Sequence, residues 1–431
     1  MTEITILSMT QVINVVSGTA KISVINAGPA GPAGPTGPPG SGGGPPGTVT
    51  TDKQFSVEPP NWGAHFRAAV NDADTRLVSI LVPGDSLAVG EDATDWFDDG
   101  YVGQLTAALQ AEYGDGGSGF IGAGWVAGAG TGGGQVTTTG AWTVLENTGG
   151  IGRKCLQPST PGNGATVVTV CRGTTIDLFY KTNAAFGTWE YKIDGGSFVS
   201  VPLNIAGSIK KVTVTGLSAG DHVVTSKATS GDGIWYGHRG RNATGIIVDN
   251  VSVSGTELAH MAQDTTGMSG SDADTYRDTL IFRTMEAMAP VDLMILCLGA
   301  NDVILDVDDP NWLAGLWNAL GCIDVALREF GPDPFIKKPD VIVVAEHIGK
   351  TEPIIGFGLL ERDWLQIHSI LRTYAASTGA AFVDIWARGG RTWEAWAEEV
   401  VWASSNTDLV HLNDHGHEIM AQEILTLMDV T

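Results

Sequence analysis

Positive charge is scarce in this 431-residue chain. Lys and Arg number 24 against 48 Asp and Glu, a net charge of −24. Such a surface repels polyphosphate and acidic lipid, which excludes nucleic acid and an anionic membrane as partners. Cysteine is scarce as well. The four present, Cys155, Cys171, Cys297 and Cys322, show no metal-ligand spacing, so no metal centre is expected from them. Cys297 lies in an apolar run and Cys322 in a helical pattern, and both read as buried thiols. Cys155 and Cys171 share one β-rich region and are candidates for a disulfide. Apolar runs of about 18 residues, the length that crosses a bilayer, are missing, so no membrane span is expected. The first twenty residues lack a basic stretch followed by an apolar core, so no secretory signal is expected either.

What is present in quantity is glycine (58), tryptophan (13) and a hydrophobic share of 43%, enough to build sizeable cores in two or three domains. Residues 1–27 are β-branched and partly alternating, with a turn at Ser17-Gly18, and read as a β-rich attachment segment too small to bury a core alone. Residues 28–50 follow as stalk and linker. Within them Gly28, Gly31, Gly34, Gly37 and Gly40 keep a strict Gly-X-Y period with Pro after each of the first four. A stiff polyproline II spacer would look similar, but the unbroken register favours a collagen-like triple helix, which requires three chains.

Residues 51–118 and 245–431 alternate apolar strands with helical periods. Strands are read at 77–82, 244–255, 291–299, 339–347 and 380–385. Helices are read near 61–70, 101–112, 272–288, 311–330, 361–378 and 413–428. That alternation predicts an α/β fold, a parallel sheet covered by helices on both faces. Between the two parts, residues 119–244 hold only short β-rich runs with Gly and Asp turns, among them Asp194-Gly195-Gly196, and predict an inserted all-β sandwich. Trp189 and Trp235 within it are either core residues or platforms for sugar rings.

The candidate chemistry lies at strand ends, where open α/β sheets place ligands. The first apolar strand stops at Gly84-Asp85-Ser86-Leu87. Ser86 is a candidate nucleophile, although a serine there is equally a turn or helix cap. Its complement is Asp408-Leu409-Val410-His411: His411 can act as base, and Asp408, three residues earlier, can orient the imidazole. Gly255, whose backbone a substrate can approach closely, the Asn301 amide and the Ser86 N–H can form an oxyanion hole. His415, His417 and Asp414 beside His411 read as capping and packing groups rather than metal ligands. Asp302 reads as a loop-fixing group, His347 as a polar strand end or a substrate contact, and Asp306–Asp309 as a solvated acidic loop or a cation site.

Four blocks in this order, GDSL at 84–87, NVSVSG at 250–255, GAND at 299–302 and DLVH at 408–411, resemble the GDSL or SGNH hydrolase superfamily. The resemblance covers about 61–118 and 245–431. It implies a flavodoxin-like three-layer fold and ester hydrolysis through an acyl-serine intermediate on Ser86, with His411 and Asp408. It also implies an oxyanion hole of Ser86, Gly255 and Asn301, no metal and no cofactor. The β insert departs from minimal members and leaves the substrate class open. The collagen-like stretch resembles those of bacteriophage tail-fibre and minor tail proteins. The layout therefore predicts a virion protein, made in the host cytoplasm and acting at the host surface. Its expected partners are two further copies through the stalk, other tail proteins, and a cell-envelope glycan or lipid as substrate. Two other readings stay open: a non-catalytic receptor-binding fibre, and a secreted carbohydrate acetyl esterase.

Overall fold

The computed structural model describes residues 3–7, 11–16, 22–26, 56–60, 62–126, 135–146, 150–205, 209–263, 279–304, 310–330, 338–346, 361–388 and 410–429. The Gly-X-Y run, His347, Asp306–Asp309 and Asp408 lie outside them. Residues 1–49 form a unit of their own. In it Glu3–Leu7, Gln11–Val16 and Ile22–Asn26 make a three-stranded antiparallel meander, with Glu3 opposite Val16 and Gln11 opposite Asn26.

The second unit, from Thr50 to Thr431, is built on a six-stranded sheet. Its order is Gly245–Asn250, Leu77–Val82, Leu293–Cys297, Asp340–Ala345, Ala381–Asp384 and Ser56–Val57. Five strands are parallel, in the sequential order 2-1-3-4-5 of flavodoxin-like sheets. The sixth, Ser56–Val57, runs antiparallel on Ala381–Asp384. The sheet is therefore mixed, which corrects the purely parallel expectation. Two paired residues carry no periodicity that a sequence can display. The five parallel strands are buried almost throughout, which is why each reads as an unbroken apolar run rather than an alternation. The second strand is shorter than the apolar pattern suggested. It ends at Asn250, although the Val251 and Val253 N–H groups still donate to the Val82 and Gly84 carbonyls at 3.1 Å each. Among the described residues, no helix is long and apolar enough to cross a membrane.

The strands between Gly119 and Arg241 form two antiparallel sheets. Thr166–Arg172, Asp221–Ser230 and Thr188–Ile193 belong to one; Thr175–Lys181, Ile234–Arg241 and Lys154–Pro158 belong to the other. Val167, Val224 and Ala228 from the first share a buried core with Leu156, Ile176 and Leu178 from the second. Tyr180 Oη lies 2.7 Å from Ser226 Oγ, and His238 bridges Thr169 and Ser226 at 2.8 Å each, so the few polar groups inside are paired across the gap. Burial pushes the His238 imidazole down to about 3, keeping it neutral.

Two alternatives left open for this region are decided. Cys155 and Cys171 do not pair: they sit on opposite sheets, buried, and neither is in a disulfide. Trp189 and Trp235 are wholly buried and cannot stack on an external sugar. Each fills the space between sheets that a sandwich needs large side chains to close.

Candidate active site

The turn after Leu77–Val82 is fixed before any substrate arrives. Asp85 caps the short helix Ser86–Val89 by accepting the Leu87 N–H at 3.0 Å. Gly84 cannot be larger, because a Cβ there would come within 2.3 Å of Ala88 Cβ and 3.0 Å of the Cys297 carbonyl oxygen. Ser86 is held at the end of the strand with a little of its surface exposed. His411 approaches from 325 residues away, just ahead of Asn413, whose side chain caps the last helix, Asp414–Leu427. His411 Nε2 lies 2.8 Å from Ser86 Oγ. A serine hydroxyl at that distance from an imidazole can lose its proton as it attacks a carbonyl carbon.

The other signature residues meet at the same point. Asn301 Nδ2 lies 3.0 Å from Asp85 Oδ2 and 3.2 Å from the Thr256 carbonyl oxygen, tying the first, second and third blocks together. Gly255 takes a left-handed φ of +76°, which favours glycine at that turn. Thr256 closes the turn, donating N–H and Oγ1–H to the Val253 carbonyl at 3.1 and 2.6 Å. Asp302 fixes the neighbouring loop, accepting the Leu258 and Ala259 N–H groups at 2.7 and 3.4 Å, and burial pushes its carboxyl up to about 7. His417 is buried and lies 3.3 Å from the Glu91 carbonyl oxygen, and His415 pairs with Glu418 at 3.1 Å.

Three residues around this point escaped the sequence reading. Glu91 Oε2 lies 3.7 Å from His411 Nε2 and accepts Ser254 Oγ–H at 2.8 Å. Arg153, from the β-sandwich, donates to the Gly255 carbonyl. Glu346 ends the Asp340–Ala345 strand, wholly inside. It accepts the Cys297 thiol at 3.0 Å and the Ala300 N–H at 3.0 Å, and it also bonds Asp85. A polar residue ending an apolar strand is the signal that picked out Ser86, and it was present at Glu346 too.

Two carboxyls in one dry site cannot both ionise. Burial and Glu346 push Asp85 well up; burial pushes Glu346 up to about 7. The folded pair thus holds a proton that the unfolded chain has released, over a window that opens above the ordinary carboxylate range. Stability falls as pH rises through that window. Glu346→Gln keeps an acceptor for Ala300 and removes the cost, roughly a few kcal/mol at full ionisation. Its melting temperature relative to the wild type should therefore be higher at pH 8 than at pH 5. An equal difference at both pH values would show that Glu346 does not hold this proton.

An α/β fold that presents a serine–imidazole pair and an asparagine at adjoining strand ends defines a serine ester hydrolase. The profile of the GDSL-like Lipase/Acylhydrolase family matches residues 224–419, a stretch that holds Gly255, Asn301 and His411 and begins beyond Ser86. That stretch is similar to a GDSL-like lipase/acylhydrolase domain over a little under half of the chain. The solved structure described as "Peptidoglycan O-acetylesterase in action, 5 min" is similar over 88% of this chain and 100% of that one, with a TM-score of 0.61 and 17% identity. That likeness shows a shared fold. A family two carbohydrate esterase from Cellvibrio japonicus (13% identity, 68% of this chain and 96% of that one, TM-score 0.26) superposes too loosely to carry an argument. The same holds for a carbohydrate acetylesterase family member from Sinorhizobium meliloti (15% identity, 43% and 81%, TM-score 0.29). No curated protein sequence matches the chain.

Proposed function

We propose that the chain removes short acyl groups from carbohydrate of the bacterial cell envelope, as a phage tail component at the host surface. The observation that carries the chemistry is the 2.8 Å approach of His411 Nε2 to Ser86 Oγ. In this reading His411 takes the Ser86 proton as Oγ bonds to the acyl carbon. Negative charge on the former carbonyl oxygen is met by the N–H groups of Ser86 and Gly255 and by the Asn301 amide, which turns one N–H to it from Asp85 or the Thr256 carbonyl. The intermediate then collapses: the C–O bond to the sugar breaks, and the imidazolium returns its proton to the departing alkoxide. Water, deprotonated by the same imidazole, releases the acid from Ser86. Asp408 is the acid assigned to orient His411.

The substrate class is supported by the fold shared with a peptidoglycan O-acetylesterase and by the likeness to an acylhydrolase domain. The tail role is supported by the Gly-X-Y run at 28–40, which would join three chains. The test compares release of acid from O-acetylated envelope glycans with release from long-chain acyl esters, alongside labelling by a fluorophosphonate. Acetate release and a single adduct on Ser86 are expected. Absence of both turnover and adduct would leave a binding fibre instead. Mass by light scattering tests the assembly: three chains are expected, falling to one when 28–47 is deleted, and a monomeric full chain would end the trimer reading.

A further inference from the structure

The turn that carries Gly255 is held from two directions. On one side Ser254 Oγ–H donates to Glu91 Oε2, at 2.8 Å, beside His411. On the other the Gly255 carbonyl accepts a guanidinium N–H from Arg153. Neighbouring carbonyls of this turn are satisfied within the α/β part: Val253 by Thr256, and Thr256 by Asn301. Gly255 takes its partner from the β-sandwich.

Arg153 is placed for that contact by its own strand pair. Trp142–Glu146 and Lys154–Pro158 are antiparallel neighbours, with Glu146 opposite Lys154. The segment just before the second strand lies across the 251–257 loop. Ile151 is buried, and a Cβ on Gly152 would stand 3.1 Å from the Val251 carbonyl oxygen. The Gly152 N–H donates to Thr284 Oγ1 at 3.3 Å. The Arg153 side chain is mostly buried, and its second Nη lies 2.9 Å from Oε2 of the exposed Glu146, a pair at the solvent edge that the Gly255 contact does not depend on. The same charge acts on the rest of the loop, helping to hold the buried His260 imidazole down to about 4, where burial is the larger cause.

We propose that Arg153 is a positioning residue for ester hydrolysis: by holding the Gly255 carbonyl it sets the turn whose N–H meets the oxyanion. This rests on the ester-hydrolysis reading and assigns the β-sandwich a part in the chemistry rather than in spacing or sugar binding alone. A glycine at positive φ has no side chain to anchor its peptide plane, and an oxyanion donor acts only when aimed beforehand. The aim matters in the transition state and not in the ground state, so the loss falls on kcat and not on KM.

The test measures kcat and KM on p-nitrophenyl acetate for the wild type, Arg153→Met, Arg153→Lys and Glu146→Gln, with melting temperatures. Removing one oxyanion donor costs about 10²–10³ in rate, and mis-aiming one is expected to cost part of that, about 10–100-fold in kcat for Arg153→Met. KM should stay within about twofold, and added guanidinium at millimolar concentration should restore part of the rate. Arg153→Lys should fall between wild type and Arg153→Met. Glu146→Gln, which keeps the Gly255 contact, should stay within about threefold of wild-type kcat. An active wild type with an equally active Arg153→Met would overturn the assignment and leave the esterase reading standing. Equal kcat losses in Arg153→Met and Glu146→Gln that track their melting temperatures would reduce Arg153 to packing. A wild type that neither turns over nor takes a fluorophosphonate on Ser86 would remove both readings together.

Discussion

His411→Ala is expected to lower kcat on p-nitrophenyl acetate by about 10⁴-fold or more, with KM little changed. Without the imidazole 2.8 Å from Oγ, the Ser86 hydroxyl must attack while still carrying its proton, or hand it to water. Ground-state binding does not use that transfer, so KM is spared. The two groups act as a unit. Ser86→Ala combined with His411→Ala should therefore be no slower than either single variant, because once the proton path is broken the second loss removes nothing further. The residual rate is what the oxyanion donors supply alone. His411 stands in a loop ahead of the last helix, which is capped by Asn413 and not by His411, so the melting temperature should move little. Steady-state kinetics on the three variants decides it. Multiplicative losses in the double variant would mean that Ser86 and His411 do not share a step.

How much of this was open to the sequence depends on the range over which each feature is encoded. Leu77–Val82, Leu293–Cys297 and Asp340–Ala345 are covered on both faces, so each carries its own signature. Helices such as Tyr101–Tyr113 and Pro310–Phe330 show their 3.6-residue period directly. Ser86, Gly255 and Asn301 were legible because a strand end or a turn marks each one locally. Their juxtaposition was legible because parallel strands collect their carboxyl ends on one edge. Glu346 was not, since its meaning appears only when Cys297 and Val344 stand in register and bring it over Asp85. Arg153 was not, because its partner lies 102 residues away in a different sheet system and no period connects them. Trp189 and Trp235 show the reverse: composition left them open as surface platforms, and only packing places them inside.

Asp249→Leu is expected to destabilise the second unit by about 3–5 kcal/mol, the usual cost of stranding one member of a buried ion pair. Asp249 is wholly buried on Gly245–Asn250 and grips Arg239 of the sandwich through Nε–Oδ1 at 2.8 Å and Nη2–Oδ2 at 2.6 Å. Burial pushes the Asp249 carboxyl up and Arg239 pulls it back. The pair closes the point where the chain passes from the sandwich into the parallel sheet. It also belongs to a wider balance. Lys211 and Arg241 lie near it, as does the carboxylate of Asp177, bonded to Arg241 at 2.8 Å and Thr213 at 2.6 Å. Burial and the two arginines hold the Lys211 ammonium below its ordinary value, against the pull of Asp177 and Asp249. Removing Asp249 leaves Arg239, Arg241 and Lys211 facing Asp177. The cost is therefore expected at the upper end of that range, and should show as a fall of about 5–15 °C in melting temperature. Replacing both partners, Asp249→Leu with Arg239→Met, removes the stranded charge and should recover most of the loss. If the double variant melts no higher than Asp249→Leu alone, the pair is not what holds the crossing, and shape at the junction outweighs charge.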